Sequence, residues 1–282
     1  MSKRSFRIVA DSSSDITALD GIDYRVAPLT IVTNEKDYRD DTELDVSAMV
    51  RELAAYNGNS RTSCPNVGDY LTAFGDAEEI FCITITGTLS GSYNSATLAA
   101  KQYMEDHPER QVYVHNSLST GPEMALVIDR MAALVEDGTP FDKCVDEIKR
   151  YSEHTGLIFM LSSLKNLANN GRVNGIVAKI AGLLGIRLVG KASDKGDLEP
   201  KDKCLGEKSA LKAILKNMKA EGYDGGRVYV SHCENEASAK ALAELIKSKY
   251  PDAEIRIYPA GGLCSFYAEL GGILVGFEKH GA

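Results

Sequence analysis

The 282 residues are 44% hydrophobic and 26% charged, an ordinary globular balance, and their length suits two domains better than one. The net charge is −8, with 32 basic residues scattered among 40 acidic ones and no basic block, which argues against a nucleic-acid partner. The six cysteines form neither a C-x-x-C pair nor a Cys–His cluster of zinc spacing, which excludes a recognisable metal motif and fits a reducing, cytoplasmic setting.

In chain order, Met1–Ser5 lacks the apolar core of a signal peptide. Phe6–Ala10 reads as a strand and Asp11–Asp15 as a polar turn. Tyr24–Thr33 is the next strand candidate. Asp45 is placed to cap a helix through Tyr56, with Val46, Met49, Val50, Leu53 and Ala54 at helical spacing. A helix over Val67–Ala77, the apolar run Ile80–Ile85, a helix over Tyr93–Asp106 and a strand at Gln111–Val114 follow. Helices Glu123–Glu136 and Phe141–His154 close the first half. Alternating strands and helices predict a parallel sheet covered on both faces.

The second half begins with strand Gly156–Leu161 and a short helix ending near Asn169-Asn170-Gly171. An apolar helix over Asn174–Gly185 leads into strand Ile186–Val189. The apolar stretch Val177–Val189 is too short for a membrane span and carries Lys179 and Arg187, so no stable membrane insertion is expected. Lys191–Lys203 reads as an exposed hairpin or loop. Helix Gly206–Glu221, strand Arg227–Ser231, helix Glu236–Tyr250, strand Glu254–Tyr258 and the apolar segment Gly271–Phe277 complete the chain. The fold class expected is α/β in two domains, residues 1–155 and 156–282.

Catalytic signatures are missing: no G-x-x-x-x-G-K-[ST], no G-x-G-x-x-G after the first strand, no G-x-S-x-G and no H-E-x-x-H. Three hydroxyl-rich loops do follow strands: Asp11–Asp15, Thr86–Ser92 and His115–Thr120. In a parallel sheet such loops gather at one edge, where ligands bind, although for any single loop turn and cap chemistry explains the hydroxyls equally well. Gly87-Thr88-Leu89-Ser90-Gly91-Ser92 precedes a helix but lacks a lysine, so it suits a carboxylate better than a phosphate. Arg172 lies either beside a helix C-cap built by Asn170-Gly171 or beside an anionic ligand. His115 and His232 each end a strand, and a structural role is the simpler account of both.

Several of these segments, in order along nearly the whole chain, resemble the DegV family. They are Phe6–Asp15, Arg61–Asn66, Thr84–Ala96, Ser117–Gly121, Leu164–Leu188, Val228–Glu234 and Gly261–Phe277. The resemblance implies a Rossmann-like N-terminal α/β/α domain with a parallel sheet, a C-terminal α/β domain with a mixed sheet, and a long-chain fatty acid such as palmitate, stearate or oleate held in an apolar tunnel between the domains. It implies a non-catalytic lipid carrier without a cofactor or metal. In the characterised bacterial system such a protein presents its fatty acid to a separate fatty acid kinase and then carries the acyl-phosphate. By this likeness Thr62 and Ser90 bond the carboxylate, Ser63, Gly91, Ser92 and Asn94 lie nearby, and Arg172 belongs to the head-group region. Ile176, Ile180, Leu183 and Leu184 are candidates for the apolar lining, although ordinary core packing is the simpler account of each one alone.

Burying about sixteen carbons at ~0.8 kcal/mol per CH₂ gives on the order of 10 kcal/mol before ordering costs. The tail should therefore dominate affinity and the hydroxyls should fix polarity. Four positions depart from the family pattern. Tyr267 stands where a histidine is common, Glu269-Leu270 replaces Gly-Pro, and Asn66 replaces a serine. A tyrosine donates a hydrogen bond but stays neutral near pH 7, so binding is better supported than delivery to a kinase. Two alternatives belong to other classes: a small-molecule transferase related to dihydroxyacetone kinase, and a lipid-responsive regulatory module.

Overall fold

The computed structural model describes residues 5–173 and 185–282. The expected helix after Val173, with Ile176, Ile180, Leu183 and Leu184, lies outside the described residues.

A four-stranded sheet is built from β1 (Phe6–Asp11), β2 (Tyr24–Ala27), β6 (Glu79–Thr84) and β7 (Gln111–Asn116), in the order β2-β1-β6-β7 and parallel throughout. Its strands are apolar on both faces because both faces are covered. Val9, Ile80 and Cys82 pack beneath α2 (Val67–Phe74) and α3 (Ser92–Asp106). Ile8, Ala10, Phe81 and Ile83 pack on the other side against α4 (Pro122–Glu136) and α5 (Phe141–Glu153).

The expected strand Tyr24–Thr33 is in fact two. Pro28 has no N–H to give a ladder, and the chain turns there. The Ser12 hydroxyl accepts the Leu29 N–H at 3.0 Å, which fixes the turn. Beyond it, β3 (Thr30–Thr33) enters a small antiparallel sheet between β4 (Asp37–Arg39) and β5 (Ser60–Ser63). Between β4 and β5 runs α1 (Val46–Ala55), capped as expected by Asp45, whose side chain accepts the Ala48 N–H.

The remaining strands form a six-stranded mixed sheet ordered β10-β9-β8-β13-β11-β12. These are β8 (Thr155–Leu161), β9 (Ile186–Ala192), β10 (Leu198–Leu205), β11 (Val228–His232), β12 (Ile255–Pro259) and β13 (Ile273–Glu278). Only β11 and β12 pair in parallel. The charged segment after Lys191 is the β9–β10 hairpin, bulged between Pro200 and Asp202 where proline cannot donate.

Strand period two sorts the side chains of this sheet. Ile158, Met160, Val228, Val230, Ile273 and Val275 pack beneath α7 (Glu207–Ala220) and α8 (Glu236–Lys247). Leu157, Phe159, Leu161 and Leu274 face the other way, where Ile31, Tyr38, Met49 and Val50 from the first half meet them. The helix α4 crosses β13 at Gly276, where a Cβ would lie 2.4 Å from the Pro122 carbonyl carbon. Two short helices, α6 (Lys165–Asn169) and α9 (Gly262–Ala268), and a 3₁₀ turn over Ser12–Ser14 complete the described elements.

Candidate functional site

A cavity of about 600 Å³ lies where the two large sheets and the small one meet, within the ~300–1,000 Å³ typical of small-molecule sites. The parallel sheet contributes only residues that follow its strands: Leu29 after β2, Ile85 and Leu89–Gly91 after β6, and Thr120 after β7. That is the carboxyl edge, where such sheets bind ligands. The mixed sheet supplies Leu157, Phe159, Leu161, Leu198 and Leu274, and α9 supplies Leu263, Cys264, Tyr267 and Ala268. The small sheet supplies Val32, Arg61, Thr62 and Ser63.

Most of this wall is hydrocarbon; Thr62, Tyr267, Arg172 and the Leu89–Ser90 loop lie close together in it, and Asp37, Arg61, Ser63 and Thr120 are its further polar members. The hydroxyls of Thr62 and Tyr267 meet at 2.6 Å across 205 residues of sequence. Burial pushes the Tyr267 phenol above its usual range, so it remains a neutral donor. Arg172 adds a cation: its Nε donates to the Leu89 carbonyl at 3.2 Å and its Nη1 to that of Asn170. The Asn170 amide in turn donates to the Ser60 carbonyl at 3.2 Å, tying this loop to β5. Gly171 is left-handed at φ 71° and the Arg172 N–H returns to the Leu167 carbonyl at 2.8 Å. Arg172 therefore ends a helix and also lines the cavity, so the two accounts of it are compatible.

Ser90 and Gly91 complete this group. Gly91 gives α3 no side-chain cap, and of the first N–H groups that of Ser92 is met by the Ser90 hydroxyl at 3.2 Å, so the start of a 15-residue helix brings partial positive charge to the wall. A Cβ on Gly91 would sit 3.1 Å from the Cys64 sulfur, a close approach that favours glycine. Thr62, Ser63, Ser90, Gly91, Arg172 and Tyr267 thus all line one cavity. Asn94 does not; it borders a shallower cleft that shares Ser90, Gly91 and Arg172 with it.

Ser92 faces elsewhere. It is fully buried, and its hydroxyl donates to Asp11 at 2.5 Å and meets that of Tyr70 at 2.6 Å. Its one proton is committed to Asp11, so this hydroxyl has none to donate to a ligand carboxylate. Asp11 also accepts the Ser13 N–H at 3.3 Å, the Ser13 hydroxyl, and the Ile85 N–H at 2.9 Å. Burial raises its pKa against those four bonds. The hydroxyls of Asp11–Asp15 therefore organise the loops rather than face the cavity.

Asp40 takes the Gly262 and Leu263 N–H groups at 2.8 and 2.9 Å, and Asp15 takes that of Gly261 at 2.9 Å. Two buried carboxylates thus hold the start of α9, which carries Tyr267. His115 and His232 do not line the cavity. Burial lowers the His115 pKa to about 4, and its ring contacts Tyr113 and Ser152. Burial also lowers the pKa of His232. Among the described residues no cluster of three or more His, Cys, Asp or Glu is placed to hold a metal.

The sequence reading missed the cavity's hydrocarbon wall. Leu157, Phe159 and Leu161 alternate on β8, but the residues between them are equally apolar. Both faces of that strand read as core. Cys264 and Leu263 lie on a helix too short to show a period.

The family described as "Uncharacterised protein, DegV family" matches residues 5–279. A DegV domain-containing protein of Streptococcus gordonii is 40% identical over 278 residues, 97% of this chain and 99% of that protein. A DegV family protein from Eubacterium eligens, solved loaded with heptadecanoic acid, is 42% identical with a TM-score of 0.95, covering 98% of this chain and 100% of that one. The fatty acid kinase (Fak) B3 protein of Streptococcus pneumoniae, solved loaded with linoleic acid, is 41% identical with a TM-score of 0.96, covering 98% and 99%.

Proposed function

Because the chain belongs to the DegV family, we propose that it binds one long-chain fatty acid in this cavity and leaves it chemically unchanged. The observation that carries the reading is that Thr62, Tyr267, Ser90 and Arg172 line one cavity whose wall is mostly hydrocarbon, with the Thr62 and Tyr267 hydroxyls in direct contact. Thr62 and Ser90 donate to the carboxylate, Tyr267 supports Thr62, and Arg172 balances charge. Ser63 and Gly91 border the head group. The acyl chain lies along Leu157, Phe159, Leu161 and Leu274.

The chain divides at residues 155 and 156, with the ligand between the two parts. Presentation to a separate fatty acid kinase extends the same reading; its support is the likeness to a protein named for that kinase. A cytoplasmic setting agrees with six free cysteines. No helix among the described residues is long and apolar enough to cross a membrane.

Native mass spectrometry of gently purified full-length chain tests the binding. The expected mass exceeds the polypeptide by one long-chain fatty acid, or rises by one equivalent on adding palmitate or oleate. Ligand-free protein that takes up neither overturns it.

A further inference from the structure

Glu269 holds a backbone conformation that suits glycine. It ends α9 at φ 54° and ψ 176°, a region that residues with a Cβ seldom occupy. It also stands where the family pattern has the glycine of Gly-Pro. Glycine would make the same turn without strain, so the turn alone does not account for a glutamate. Such strain persists only where surrounding contacts hold the residue in place.

The contact here is with α6. Glu269 Oε1 accepts the Asn166 N–H at 3.1 Å, in the first turn of a helix whose N-cap residue, Leu164, makes no side-chain cap bond. The Asn166 side-chain amide donates to the Phe266 carbonyl at 2.8 Å, so α6 is fastened twice to the end of α9. At the other end of α6, the Asn170 side-chain amide donates to the Asn166 carbonyl at 2.9 Å and to the Ser60 carbonyl of β5 at 3.2 Å.

These bonds close a ring. From Thr62 it crosses 2.6 Å to Tyr267, follows the chain to Glu269, enters α6 at Asn166, leaves at Asn170 and returns to β5 at Ser60. Arg172 hangs from this ring. Its N–H donates to the Leu167 carbonyl at 2.8 Å, its Nη1 to the Asn170 carbonyl and its Nε to the Leu89 carbonyl at 3.2 Å. The Arg172 charge acts on the Tyr267 phenol, where it opposes the larger effect of burial. Thr62, Tyr267, Leu167 and Arg172 line the cavity, and Glu269 does not.

We propose that Glu269 is a positioning residue for the ligand's carboxylate: by docking α6 between α9 and β5 it holds Arg172 beside the Thr62 and Tyr267 hydroxyls. This rests on the fatty-acid reading of the cavity and adds that the brace selects an acid over a neutral lipid of the same length. The strain at Glu269 and its charged hydrogen bond oppose each other and are of similar size. Their net effect on folding is therefore small, and what glutamate adds over glycine is the placement of α6.

A competition tests this. Delipidated full-length chain is offered palmitic acid and hexadecanol, equimolar in mixed detergent micelles, and the bound ligand is quantified by mass spectrometry. Wild type should retain the acid in excess. Glu269→Gly should lower the acid-to-alcohol ratio about tenfold, near the lower end of what a hydrogen bond to a charged group contributes, with total occupancy and the urea midpoint unmoved. Glu269→Gln, whose amide oxygen still accepts the Asn166 N–H, should keep the wild-type ratio. An unchanged ratio in Glu269→Gly overturns the proposal. So does an equal loss of both ligands, which would make the role structural, or a Gln variant that behaves as the Gly variant does. Should Glu269→Gly fail to fold, Asn170→Ala cuts the ring at its other end and must show the same fall; an unchanged ratio there overturns the proposal. Wild type that binds both ligands alike overturns the selection while lipid binding stands. Wild type that binds neither overturns the fatty-acid reading itself.

Discussion

Ser90 and Ser92 stand two residues apart in one loop and serve opposite ends. Ser92 is fully buried, donates to Asp11 at 2.5 Å and meets Tyr70. Ser90 is half-buried, lines the cavity, and accepts the Ser92 N–H at 3.2 Å. The same division runs through the whole site: Ser12, Ser13 and Ser119 join Ser92 in fastening loops, while Thr62 and Tyr267 join Ser90 in facing the cavity. Residue type does not separate the two sets; burial and a prior carboxylate partner do. Removing a fastening group should unfold the protein, and removing a facing group should loosen its ligand.

The largest effect is expected at Asp11. Asp11→Ala leaves the Ser92 hydroxyl and the Ile85 N–H buried with one partner fewer, at a cost of about 3–4 kcal/mol. The urea midpoint should fall accordingly, while the fraction still folded binds fatty acid as wild type does. A midpoint unchanged within error would dissolve the distinction. Next comes the ligand's own tail. Four fewer methylenes, laurate in place of palmitate, should lose about 3 kcal/mol, roughly 200-fold in Kd by calorimetry. A loss of only a few-fold would mean that the chain does not lie against Leu157, Phe159 and Leu161. Third is Tyr267→Phe, which removes one hydroxyl from the cavity wall. Palmitate affinity should drop by about 1.5–3 kcal/mol with the urea midpoint unmoved. A lowered midpoint with intact affinity would place Tyr267 in the fastening set.

Much of the first half was legible because its helices are long and periodic and its strands are apolar. The cap at Asp45 was readable from one residue type in one place. What escaped was set by distant partners. The helix α9 has seven residues, and its first N–H groups are held by Asp40 from more than 200 residues away. The strands β4 and β5 are short and gain their place only by pairing with β3. Pro28 was visible, but the sheet change behind it was not. For the site, single-chain chemistry found the loops and the resemblance singled out Thr62, Ser90 and Tyr267. Neither separated Ser90 from Ser92, because the carboxylate that engages Ser92 lies 81 residues earlier.

Asp15 is tested last, and its effect shows in pH dependence rather than at one pH. Its folded pKa, about 7, exceeds the ordinary 3.8 because burial disfavours the charge. Between those values the folded chain holds a proton that the unfolded chain has lost. Stability from this group is therefore full below about pH 4 and declines, by about 1.4 kcal/mol per pH unit, until about pH 7. His115 works the other way: burial lowers its pKa from 6.5 to about 4, so its contribution grows as pH rises through that window. The raw curve mixes the two, and burial raises Asp11, Asp40 and Glu123 in the same direction as Asp15. Asp15→Asn isolates the one group, since an amide oxygen still accepts the Gly261 N–H. The wild-type stability minus the variant's should fall steadily from pH 5 to pH 7 and then level off. Parallel curves would mean that Asp15 is ionised in the fold.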